Sequence, residues 1–455
     1  MSIAHCVRPA LSAVALLLFA SVVSADTLKV PSDDFPTIQS AITAASGGDV
    51  IKVAKGVYAE NLTVFTNDLT LQGKNAVVDG QFLDPCIRVG ATGVTITGFT
   101  FVNGTIGVSD GDGEEGFSDP EGLVLSKCVI RSCTVGVRLR ADDVLIERNT
   151  ISDCRGLGIA LNATEENVTA VLSRNVVERV QGVAMSIEAI SVTLERNQVR
   201  SCFEGIEVTL EIETEGGNPL PTLITRNRVE GCLGIGLTVA DEILFGLTTI
   251  EKNRLERNGR GLTAYGANFR VLDNTCNDNS ELGMSLGTEF EFHFVDSEVL
   301  GNQCRDNGAS GMLIDGPPIC RIPPSDRNLI QDNDCQGNGM DGIVLRHAHQ
   351  DRFLDNTCKK NGGDGIDIDV PSFFGGIEIT DNVCSKNEHE GIDNNASNTE
   401  MSGNVCKGNA RGVGPDIAGT GDDGMGSADD DGGNKFDTGG FDVQARLDLD
   451  ETGED

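Results

Sequence analysis

Basic charge is scarce in this chain. Its 455 residues include 35 lysines and arginines against 70 aspartates and glutamates, a formal net charge of −35. With no basic patch to neutralise phosphates, nucleic acid is disfavoured as a partner. Polyuronates are repelled as well, unless divalent cations bridge the two acidic surfaces. Tryptophan is absent and aromatic residues make up 4% of the chain. The apolar content is still 39%, and it recurs periodically, so the chain is expected to be ordered and soluble. Beyond the first 25 residues no apolar run reaches the ~18 residues needed to span a bilayer. No lipid-attachment cysteine follows the N-terminal apolar run, because Cys6 precedes it.

What the chain does have is a repeat. Asn356-Thr357-Cys358 and its next asparagine, Asn361, return as Asn382, Cys384 and Asn387, then as Asn404, Cys406 and Asn409. Each copy is followed by glycine and an apolar residue: Gly365-Ile366, Gly391-Ile392 and Gly412-Val413. Towards the N-terminus the first asparagine recurs at 333, 302, 274, 253, 227, 197, 175 and 149, at spacings of 21 to 31 residues. A fixed unit with variable loops predicts a solenoid that grows by stacking. An apolar residue sits three before each asparagine (Ile330, Phe353, Ile379) and another two after it, with the glycine-apolar pair adding a third. Three short strands in a turn of roughly 22 residues predict an all-β fold, a right-handed parallel β-helix of roughly a dozen coils. At a bend, each asparagine amide can donate to its neighbour one coil away and build a ladder.

Residues 1–25 have the layout of an export signal. Arg8 supplies the positive region, Ala10 to Val23 the apolar run, and Val23-Ser24-Ala25 the small-residue cleavage site. The mature chain is expected to begin near Asp26, in the periplasm or outside the cell. Residues 26–75 form an N-terminal cap with the first strands. Within it Ile38, Ala41, Ile42 and Ala45 share one helical face, which would cover the open end of the stack. The β-helix is assigned to 76–410, and 411–455 to a C-terminal cap and acidic tail. Segments 211–221, 288–294 and 316–324 are insertions that should project from one side.

The chain has 14 cysteines, and six of them follow the repeat asparagine by two. In stacked coils their Cβ atoms are parallel and ~4.8 Å apart, whereas a disulfide needs convergent Cβ atoms at roughly 3.5–4.5 Å. A column of buried thiols acting as small apolar groups is expected.

These repeats resemble the right-handed parallel β-helix proteins of the pectin-lyase-like superfamily. Phe35-Pro36-Thr37-Ile38 through Gly56-Val57-Tyr58 also resembles the opening of exported β-helix proteins and of pectin methylesterases. The resemblance covers most of residues 31–410 and implies the fold. The superfamily includes lyases, hydrolases, esterases, epimerases, a copper-binding maturation protein and non-catalytic adhesins, so fold does not select an activity. Family catalytic motifs are missing. Gln331-Asp332-Asn333 only echoes the esterase Gln-Asp-Thr-Leu, and Asp241 to Gly246 only echoes Asp-Phe-Ile-Phe-Gly. Gly-His-Gly and Asp-Pro-His-Asp do not occur.

Local chemistry remains. Outward positions after the repeat glycine carry Asp315, Arg346, Asp367 with Asp369, and Asp393 on successive coils. Asp341, Asp364 and Glu390 stack one turn earlier. Asp367 above Asp393 is a like-charge pair that must raise one pKa, hold a cation or splay into water. Arg346, Asp367 and Asp393 are the candidate catalytic residues, with Arg346 as the base of a cation-assisted β-elimination on a uronate. A one-coil carboxylate gap also approaches the ~5–5.5 Å of retaining glycosidases. Asp315, Asp367, Asp369 and Asp393 are candidate Ca²⁺ ligands. His347 and His349, facing the same way as Asp351 in an extended segment, are a second metal-ligand set. His293 and His389 are read as isolated surface residues.

The expected function is that of an exported, monomeric β-helix that binds an extended polysaccharide on its lateral face; if it is an enzyme, it is a polysaccharide lyase or glycoside hydrolase. A non-catalytic surface or adhesion module and a periplasmic copper- or calcium-binding protein are the alternatives.

Overall fold

A computed structural model describes residues 25–111, 120–163, 170–210, 221–241, 247–287, 294–315, 327–346, 350–370, 376–394, 396 and 399–409. It also describes three short strands at 417–418, 429–430 and 435–436. The expected export signal, His347, His349 and most of the C-terminal cap and tail lie outside the described residues.

The chain winds as a parallel β-solenoid of about 13 turns. A representative coil shows why. Arg352–Leu354 forms a strand that buries Phe353 inward. Asp355, at φ 55, turns the chain and brings Asn356 into the bend. Thr357–Lys359 then runs as a second strand, burying Cys358. Lys360, at φ 56, makes the next corner at Asn361, and Ile366–Asp369 forms the third strand. Alternation of buried and outward residues within each strand matches the two-residue period of a pleated chain.

Registers are direct. Phe353 pairs with Ile379, Cys358 with Cys384 and Ile366 with Ile392. First and second strands belong to one 31-stranded sheet, and third strands to a separate 16-stranded sheet. The first sheet is continuous because Thr70–Asp79 pairs with both Val50–Val53 and Gly56–Tyr58.

The asparagine ladder is present from Asn149 to Asn404. Asn356 Nδ2 donates to Asn382 Oδ1 at 3.0 Å and to the Ile330 carbonyl of the coil before at 2.8 Å. The Asn356 backbone N–H donates to the same Asn382 Oδ1 at 2.9 Å. A second ladder at the next corner runs from Asn258 to Asn409. These buried amides are thereby satisfied at bends where no sheet partner is available.

All twelve described cysteines are buried and unpaired by disulfides. Their placement follows volume. Where Cys154, Cys202 or Cys232 sits at the second bend, the strand position three earlier holds the larger Ile151, Val199 or Val229. From Cys276 onward the bend takes asparagine and the strand takes the smaller thiol, which conserves interior volume. Both groups crowd one glycine: a Cβ on Gly342 would lie 2.9 Å from Cys358 Cβ and from Asn361 Nδ2, and 2.4 Å from the Gly365 carbonyl.

The N-terminal helix spans Ile38–Ala44 and buries Ile38, Ala41 and Ile42, with Ala45 serving as its C-cap. Thr37 Oγ1 accepts from the Ser40 N–H, and the Glu60 carboxylate accepts from the N–H groups of Ile38 and Gln39. Capping therefore closes the helix while its apolar face covers the first coil. Among the described residues, no helix is long and apolar enough to cross a membrane.

Candidate functional site

The third strands carry one outward column along their middle. In register, Ser285, Leu313, Val344, Asp367 and Asp393 follow one another on consecutive coils. Two residues further on, Arg346 pairs with Asp369. At the corner leading into these strands lies a second acidic stack. The Asp364 N–H donates to Asp341 Oδ1 at 2.7 Å, and the Glu390 N–H donates to Asp364 Oδ1 at 2.6 Å. Here the backbone N–H points along the solenoid axis, and a carboxylate one coil back accepts it. This is the acidic counterpart of the asparagine ladder.

The two stacks converge. Asp364, Asp367 and Asp393 each offer an oxygen within 4.8 Å of the others, and Asp364, His389 and Glu390 form a second such trio. Burial, then a side-chain hydrogen bond with Glu390, pushes Asp364 up to about 8, despite the amide donor that favours its charge. Burial, then the negative charges of Asp341, Asp393 and Asp369, pushes Asp367 up to about 7, with Arg346 pulling the other way. Burial followed by the Glu390, Asp369 and Asp341 charges raises Asp393 too. Near neutral pH the group therefore combines protonated and ionised carboxyls within reach of one another. Such an arrangement can donate and accept protons or surround a hard cation with oxygen ligands.

The expected Asp367–Asp393 and Arg346–Asp369 stacking is present. Other expectations need correction. Asp315, read as an outward ligand, is buried, and its N–H donates to the Leu286 carbonyl at 2.8 Å. Asp351, expected beside His347 and His349, is fully buried and accepts the Asn328 N–H at 2.7 Å, so it is committed to the fold. His347 and His349 lie outside the described residues. His389 is exposed as expected but not isolated, since it joins Asp364 and Glu390. The proximity of Asp364 to Asp367 was missed because three residues separate them around a corner, a distance that strand alternation does not predict.

Residues 75–213 and 296–425 match the family described as right handed beta helix region. No curated protein matches the sequence. Among solved structures, the A-module of the Azotobacter vinelandii mannuronan C-5 epimerase AlgE6 is similar at 14% identity. That match covers 75% of this chain and 93% of that one, with a TM-score of 0.47. The periplasmic alginate epimerase AlgG, solved as a double mutant, is similar at 11% identity, over 90% of this chain and 83% of that one, with a TM-score of 0.38. A PL6 family polysaccharide lyase from Pseudopedobacter saltans is similar at 12% identity, over 93% of this chain and 95% of that one, with a TM-score of 0.36. At these identities the likeness is one of fold.

Proposed function

The chain belongs to the right-handed β-helix family, and from that architecture we propose that it is an exported, monomeric protein that binds an extended polysaccharide along the outer face of its second sheet and acts on it there. The convergence of Asp364, Asp367 and Asp393 within 4.8 Å carries this reading. A polar interior column would need no such group, since asparagine satisfies the other corners at no charge cost. In this reading Asp367, raised to about 7 and so carrying a proton in about half of the molecules at neutrality, donates a proton to the glycosidic oxygen. Asp393, one coil away, acts as the carboxylate on the opposite side of the scissile bond. Arg346 and Asp369, adjacent on the same face, hold neighbouring sugars. The export pattern around Arg8, Ala10 to Val23 and Ala25 supports access to polymers outside the cytoplasm.

A calcium-assisted variant of the same site is favoured by the two oxygen-rich trios. There Asp364, Asp367 and Asp393 would hold Ca²⁺, which would neutralise a uronate carboxylate; Arg346 would take the C5 proton as the C4 glycosidic bond breaks, the departing oxygen being protonated by solvent. A panel of linear glycans, offered with and without Ca²⁺, separates these readings. Retention together with new reducing ends supports hydrolysis, and unsaturated ends that require Ca²⁺ support elimination. Retention without product leaves an adhesion module, and a panel that is neither retained nor altered overturns the proposal.

A further inference from the structure

Charge on the first sheet is not distributed as composition implies. At the corner before each ladder position, held by Cys128 in the first of these coils and by asparagine from Asn149 on, one residue per coil adopts positive φ. In six consecutive coils that residue is a cation: Lys127, Arg148, Arg174, Arg196, Arg226 and Lys252, all at φ between 53 and 55. Backbone hydrogen bonds put them in one row. The N–H of Lys127 donates to Glu147, that of Arg148 to Ser173, that of Arg174 to Glu195, that of Arg196 to Thr225 and that of Arg226 to Glu251, each the residue before the next cation. All six are exposed. At ~4.8 Å per coil the row extends about 24 Å.

The fold does not require cations there. The same corner is made by Asp273, Gly301, Asp332, Asp355, Asp381 and Gly403 in the coils that follow. Glycine and aspartate also accept positive φ more readily than arginine. Stacking six like charges adds repulsion to that conformational cost. Only three carboxylates stand at the preceding position, Glu147, Glu195 and Glu251. They pair with Arg148, with Arg196 and Arg226, and with Lys252. Ser126, Ser173 and Thr225 occupy the alternate coils. The row thus keeps an excess of positive charge on a protein of net charge −35, which overturns the expectation that no basic patch exists.

We propose that this ridge is a second binding surface, separate from the carboxylate site, that holds a linear polyuronate. Such a polymer carries one carboxylate per sugar and lies straight, so its charges can meet one cation per coil. A nucleic acid duplex fits poorly: it bears one charge per ~1.7 Å along a curving groove, and the ridge offers no aromatic platform for single-stranded bases. Holding the polymer here would tether the protein to an acidic matrix that its net charge would otherwise repel.

Binding of labelled oligogalacturonate, read by fluorescence anisotropy at low and high salt, tests the proposal. Asparagine tolerates positive φ, so Arg148→Asn, Arg174→Asn, Arg196→Asn and Arg226→Asn keep the corner, and thermal melting checks that they do. Each is expected to weaken binding several-fold and the quadruple variant roughly a hundredfold, with affinity falling as salt rises. The matching quadruple lysine variant should retain binding. Introduced into the Asp367→Asn background, the quadruple asparagine substitution should weaken binding by the same factor as in the unsubstituted protein, which keeps this result independent of the carboxylate site. Absent binding, binding that survives the quadruple asparagine variant, or tighter binding of DNA or neutral dextran would each overturn it.

Discussion

Asp367 and Asp393 are paired in register on consecutive strands of the second sheet, and Asp364 brings a third carboxyl oxygen within 4.8 Å of both. Groups so close cannot all ionise without a compensating proton or cation. The testable consequences of the site follow from which of the two is present.

The first consequence is pH-dependent stability. Asp364 is raised to about 8 and Asp367 to about 7, above their unfolded values. The folded protein therefore binds more protons than the unfolded chain between those limits. Stability should be highest on the acidic side and fall as pH rises towards 8, by about 2 kcal/mol after allowing for partial solvent screening. Denaturant melts across this range should show the decline, and the double variant Asp364→Asn, Asp367→Asn should flatten it. A decline that persists in the double variant would assign it to other groups.

A cation should reverse that decline. If Asp364, Asp367 and Asp393 ligate Ca²⁺, the metal should raise the thermal midpoint most at pH 8, where the ligands are ionised. Saturation at a hundredfold over Kd corresponds to about 2.7 kcal/mol. Calorimetry should return one site, lost in Asp364→Asn. Stabilisation of equal size in that variant would exclude the cluster.

The ladder sets the third expectation. Asn356→Ala removes the donors to Ile330 and Asn382 and the acceptor for the Asn333 N–H and side chain. It leaves buried polar groups unsatisfied, at about 3 kcal/mol in total. A destabilisation no larger than that of a partly exposed substitution such as Lys359→Ala would show that the ladder contributes little.

Much of this architecture is legible in the sequence because identical coils repeat identical solutions. Asn333, Asn356, Asn382 and Asn404 recur at fixed offsets from Ile330, Phe353, Ile379 and Met401, so ladder and core could be read together. The outward Asp367–Asp393 pair followed from strand alternation. Corners were harder to read. Positive φ falls on Arg148, Lys252 or Lys360 as readily as on Asp355, with no glycine to mark it, so the cation row could not be seen before the coils were stacked. The proximity of Asp364 to Asp367 and the burial of Asp315 escaped for a related reason: where the chain leaves a strand, alternation no longer says which way a side chain faces.

Thiol accessibility provides a fourth check. The twelve described cysteines are buried and free, and burial raises the Cys128 thiol to about 11. A thiol reagent should modify none of them in the native protein and all of them in denaturant. Rapid native modification of more than the two cysteines outside the described residues would contradict a closed interior.

The most direct measurement is turnover of a retained linear polysaccharide by Asp367→Asn beside the unsubstituted protein, with melting curves confirming the fold. The proposed role of Asp367 as proton donor predicts a fall of at least about a hundredfold in kcat, with glycan retention preserved. Unchanged turnover in a folded Asp367→Asn protein would contradict it.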